Sequence, residues 1–132
     1  PFAQVGLGRA EGRGGDRGAG RALIEQALPE LACSWRPIAH ASLADLWLLD
    51  GSPEQALRVA DGALAETLQT GIRYFDAELL RLRGAAIALD GSSRYDEAVQ
   101  ALGEAAMLAD RQAAKWLALR VAATRRQLNS AS

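Results

Sequence analysis

A glycine-centred turn followed by an alanine-spaced helix occurs twice in this chain, and the repetition constrains the fold more than any other feature. One copy reads Gly51-Ser52-Pro53-Glu54-Gln55-Ala56 and continues through Ala60, Ala63 and Leu64. The other reads Gly91-Ser92-Ser93-Arg94-Tyr95-Asp96-Glu97-Ala98 and continues through Leu102 and Ala105. Ala56 and Ala98 stand roughly 42 residues apart, a period in the range of stacked helical units. Apolar residues make up 49% of the chain but aromatics only 5%. Ala and Leu therefore dominate; both favour helix, and small side chains let helix axes approach closely. No segment alternates Val, Ile, Thr or aromatics in the two-residue period of a strand. The expectation is an all-α single domain over residues 1–132, built from antiparallel hairpins.

Punctuation along the chain places the helices. Residues 1–11 read as the end of a helix. The stretch Gly12-Arg13-Gly14-Gly15 reads as a turn, and Asp16 as the cap of the helix that carries Leu23, Ile24, Ala27, Leu28 and Leu31. Pro29 should shorten or kink that helix, because proline removes a helical hydrogen bond. Arg36-Pro37 opens a second helix, containing Ile38, Leu43, Leu46, Trp47 and Leu49, that Gly51 stops. Ser52-Pro53-Glu54-Gln55 has the form of a capping box with proline at the first helical position, and its helix runs to Thr70 through Leu57, Leu64 and Leu68. Helices over 73–90, 95–110 and 112–128 follow. Phe75, Leu79, Leu82 and Leu89 are expected inside the first of these, and Trp116, Leu119, Ala123 and Leu128 on the packed side of the last. Gly84 lies mid-helix, where it destabilises, so it is read as a point of close helix approach. Hairpins are thus expected over about 1–33, 36–70 and 73–110, with a closing helix at 112–128.

Charge excludes several function classes. Sixteen acids against 15 bases leave a formal charge of −1, which predicts neither nucleic acid nor an anionic membrane as partner. Arg9, Arg13, Arg17 and Arg21 would form a basic stripe on one unbroken helix, but the glycines interrupt it. No run of 18 apolar residues exists to span a bilayer. The single Cys33 has no disulfide partner within the chain, which fits a reducing cytoplasm. The chain begins at Pro1 without Met and is read as a piece of a longer protein.

No motif carries catalysis. The glycines before Arg21 lack the Gly-Lys-Ser/Thr ending of a phosphate loop. His40, the only histidine, has no further imidazole or thiol pair with which to hold zinc, so neither metal nor cofactor is expected. Asp96 and Glu97 are helix-start residues before they are an acid–base pair. Trp35 fits a hydrophobic staple, Trp47 a core position and Trp116 a cover for the end of the stack. Arg111, Lys115, Arg120, Arg125 and Arg126 form a basic run with no acid after residue 110, a candidate docking patch for an acidic neighbour.

Large and small residues also alternate between paired helices: Leu43, Ala44 and Trp47 on one, Ala56, Ala60 and Ala63 on its partner. That arrangement resembles the tetratricopeptide pattern, with repeats longer than the usual unit. The segments Phe75–Gly84 and Ala109–Arg120 resemble the C-terminal helical-repeat region of large bacterial multidomain regulators, adenylate/guanylate cyclase-like or LuxR/AfsR-like proteins with an NTPase module. The resemblance implies a short right-handed superhelix serving as a cytoplasmic scaffold, with catalytic and nucleotide-binding parts elsewhere in the parent. The concave side would then carry Ala41, Asp45, Leu48, Glu78, Arg81 and Ala85. The expected partner is a protein or peptide, another domain of the same parent included, or a second copy of the chain. The alternatives are a module sensing a small effector and a structural self-association element.

Overall fold

The computed structural model describes residues 16–131. Six α-helices follow one another: α1 Arg17–Ala27, α2 Arg36–Leu49, α3 Pro53–Thr70, α4 Asp76–Asp90, α5 Tyr95–Arg111 and α6 Lys115–Ala131. Each packs against the next, and α2 also touches α4, as α4 touches α6. The architecture is an all-α array of sequentially packed helices. The first expected hairpin lies partly in residues 1–15, outside the described residues, as do Arg9 and Arg13.

Most helix ends obey the expected punctuation. The Asp16 carboxylate accepts the Ala19 N–H at 2.9 Å, capping α1. Pro29 ends that helix by drawing Leu28–Glu30 into a 3-10 turn. Gly51 closes α2 in the left-handed region at φ 73°. There the Ser52 N–H reaches the Trp47 carbonyl and the Gly51 N–H reaches Leu48, which satisfies the terminal carbonyls. Gly71 closes α3 in the same left-handed region, at φ 77°. Ser52 holds the N-cap position of α3 with Pro53 behind it, but its side chain makes no capping bond, so the reciprocal box does not form.

Two helices start later than expected. Arg73, Tyr74 and Phe75 form a turn ahead of α4 instead of its first turn, and side-chain bonds fix the first two of them. Arg73 Nε binds the Asp76 carboxylate at 2.7 Å, and the Tyr74 hydroxyl donates to the Ser34 carbonyl. Helix α6 begins at Lys115, since Ala113 adopts φ 54° and breaks the chain direction. The Ala114 N–H bonds to Ala109 O and the Ala113 N–H to Asp110 O, the pattern of a Schellman turn with alanine where glycine is usual.

The core forms three linked clusters. Ile24 and Ala27 of α1 meet Ala39, Leu43 and Leu46 of α2. Ala41 and Ala44 on the other side of α2 meet Ala63 of α3 and Leu79 and Leu82 of α4. Ala77, Ala109 and Leu117 join α4, α5 and α6. Three sequence expectations fail in detail. Leu68 is exposed, and Thr67 is buried in its place. Leu89 is exposed near the end of α4. Leu117, Val121 and Thr124 face inward on α6, which leaves Leu119 71% exposed. Trp47 is half-buried against the first cluster, with the Arg21 guanidinium 3.8 Å above its ring centroid. Trp35 precedes α2 and is exposed.

Gly84 marks the close approach of α4 and α5. A Cβ there would lie 2.8 Å from Leu102 Cγ and 3.3 Å from the Ala98 carbonyl oxygen. Gly84→Ala is expected to destabilise the fold by about 1–2 kcal/mol in urea titration, overpacking outweighing a helix-propensity gain of about 1 kcal/mol. Ala113→Gly should act in the opposite sense and raise stability by about 0.5–1 kcal/mol, relief of left-handed strain exceeding the added unfolded-state entropy.

Candidate binding cleft

The contacts of α2 with α4 and of α4 with α6 bring three helix faces to one cleft. Ile38, Ala41, Ser42 and Asp45 recur at helical spacing on α2; Phe75 and Glu78 come from the start of α4; Trp116 and Arg120, four residues apart, come from α6. Phe75 and Trp116 rings tilt against one another at 6.0 Å. The cavity between these residues measures about 30 Å³, room for about two water molecules.

A buried ion cluster forms its floor. Glu78 is 5% exposed and lies between two guanidiniums. Arg81 donates to both its oxygens at 2.7 and 3.0 Å, and Arg120 approaches from α6 at 3.0 Å. Arg81 also donates to the Thr124 hydroxyl at 3.1 Å, and that hydroxyl donates to the Arg120 carbonyl at 3.1 Å. Burial alone pushes the Glu78 carboxyl up. The hydrogen bonds and charges of Arg81 and Arg120 outweigh that push and hold it below the ordinary carboxylate range. Such a cluster adds little to stability compared with apolar packing, yet removing one member strands the others without charge compensation.

The structure unites some of the expected binding residues and separates others. Ala41, Asp45 and Glu78 line the cleft, and Arg81 lies buried behind Glu78. Leu48 packs against the apolar cluster of α2, α3 and α4. Ala85 borders a different depression, with Leu89, Leu102 and Leu128. The expected basic patch is divided: Arg120 turns into the cleft, Arg111 lines a groove on α5, and Lys115, Arg125 and Arg126 are exposed. Ile38, Ser42 and Phe75 belong to the cleft without having been singled out as binding residues. The four-residue spacing of Trp116 and Arg120 was the available signal for α6.

A second polar cluster joins α2 to α3. Arg36 grips Glu66 with two bonds at 2.9 and 3.1 Å and also donates to the Leu28 carbonyl. The bond from Arg36 holds the Glu66 carboxyl low. Burial pushes nearby His40 down, which favours its neutral form. No group of three or more metal-ligating side chains occurs among the described residues, and none of their helices is long and apolar enough to cross a membrane.

Glu78→Gln is expected to destabilise the fold by about 3 kcal/mol, because two guanidiniums lose their shared charge. It should also flatten the acid limb of the stability profile. A carboxyl held low in the folded state contributes stability above its unfolded pKa and loses it as pH falls through the folded one. Urea titrations between neutral and acid pH, run on both proteins, measure this difference.

Comparison with protein-family models, with curated proteins and with solved structures returns no match to this chain.

Proposed function

We propose that this chain is a non-catalytic, tetratricopeptide-like interaction segment of a cytoplasmic bacterial regulator, and that its α2–α4–α6 cleft holds a peptide or another domain of the parent protein. The observation that carries this reading is the shared face of alternate helices. Contacts from α2 to α4 and from α4 to α6 are what a stack of hairpins produces when its first helices line one side. That side offers carboxylate, guanidinium and an indole that is 54% exposed, a combination suited to an extended peptide. A small effector fits less well. Sites for drug-sized ligands enclose about 300–1,000 Å³, against about 30 Å³ here.

Arg81 is unsuited to a binding test, since reversing its charge would set two carboxylates together inside the ion cluster. Trp116 lines the cleft, is 54% exposed and makes no bond to that cluster, so Trp116→Ala probes the surface. Proteins cross-linked to the native full chain should be lost with this variant while its thermal melt stays within a few degrees. Retention of the same proteins at unchanged level would remove the cleft from the interaction.

A further inference from the structure

A groove over α4, between α3 and α5, is a second and separate surface. Two open depressions of about 600 and 410 Å³ meet there, and both are bordered by Leu80 and Glu104. Together they follow α5 from Glu97 to Arg111, about 21 Å at the rise of a helix. Leu64, Leu80, Ala101 and Leu108 supply apolar lining. Met107 borders the groove and is 63% exposed, and an unbranched thioether adapts to an incoming apolar face.

Charge is distributed unequally along this groove. Asp61 and Glu97 stand at one end, 2.7 and 3.9 Å from Arg83, and Glu97 also accepts from Arg94 at 2.8 and 3.1 Å; with Glu104 this end holds three carboxylates against two guanidiniums. Glu104 lies further along, within 3.4 Å of Gln100. Arg73 and Arg111 stand at the far end. Arg73 is bonded to buried Asp76, whereas the Arg111 side chain makes no hydrogen bond or ion pair with the described residues. The groove is therefore carboxylate-rich near the start of α5 and cationic at its finish.

We infer that this groove binds an amphipathic helix of a partner protein, acidic in its first turns and basic in its last. The acidic turns lie against Arg73 and Arg111, the basic turns against Asp61, Glu97 and Glu104, and an apolar face covers Leu80 and Met107. Such a helix carries its charges where its own macrodipole favours them. It also runs antiparallel to both α3 and α5. The cleft between α2, α4 and α6 has no part in this contact, so the two surfaces are testable apart.

The probe is a fluorescent synthetic peptide of about 15 residues, the length that spans the groove at about 1.5 Å per residue. It carries Glu in its first two turns, Lys in its last two, and Leu at helical spacing between. A control peptide has the same composition with its charges intermixed. Anisotropy titration with the full chain should favour the segregated peptide by about tenfold, and Arg111→Glu or Met107→Asp should each weaken it by about tenfold. Both positions are exposed, so the melts of these variants should match the native one. Equal affinity for both peptides, no binding, or binding untouched by either variant overturns the assignment. So does a mass in sedimentation that doubles with concentration and collapses on Arg111→Glu, which gives the groove to a second copy of the chain.

Discussion

Helix α4 is surrounded, and the rest of the structure depends on how its polar residues tolerate that. It packs against α2, α3, α5 and α6, so only the side of Leu80 and Arg83 and its last turn remain open to solvent. Asp76, Glu78 and Arg81 are all buried. Unpartnered charge there would cost several kcal/mol. Each is answered instead: the Thr67 hydroxyl donates to Asp76 at 2.7 Å, and Glu78 is shared by Arg81 and Arg120. Asp76 and Glu78 also fall in the first turn, where the helix end is positive. No buried side-chain nitrogen or oxygen among the described residues lacks a hydrogen-bond partner.

The same cluster explains the orientation of α6. Leu117, Val121 and Thr124 form the inward row, and Arg120 stands beside it, reaching Glu78. Leu119 lies nearly opposite that row, so burying it would take about half a revolution of the helix. It would also withdraw the Arg120 guanidinium from Glu78 and the Thr124 hydroxyl from Arg81. Burying one leucine yields about 2 kcal/mol, less than is lost by exposing both Leu117 and Val121, and the Arg120 contact is lost besides. Leu119 therefore stays outside.

This balance marks the limit of what the sequence makes legible. Helix existence and most ends follow from local chemistry: Asp16, Pro29, Pro37, Gly51 and Gly71 act on their own neighbours. Gly84 is readable too, because a glycine inside a leucine-rich helix implies a close neighbour, which proves to be Leu102. A hydrophobic stripe predicts one packed side. It misplaces Leu89 on a helix packed by several others, and it misplaces Leu119 on a helix whose inward row is Leu117, Val121 and Thr124. Glu78 and Arg120 lie 42 residues apart, and nothing in local spacing joins them. For the cleft, the α2 and α4 positions Ala41, Asp45 and Glu78 follow from the tetratricopeptide resemblance and its concave side. Phe75 was readable only as core, and the division of the basic run required the actual direction of each arginine.

The ion cluster also limits the chemistry open to the cleft. A general acid or base works best with a pKa near the operating pH. Glu78 is driven the other way, held ionised by two guanidiniums, and a proton taken up there would break both contacts at once. Two guanidiniums on one carboxylate leave positive charge at the floor, and Asp45 brings negative charge from α2. In the proposed role, a surface of fixed, opposed charges beside an exposed indole would discriminate among partners by where their own charges fall. Its selectivity is thus decided by the same contacts that fasten α6 to α4.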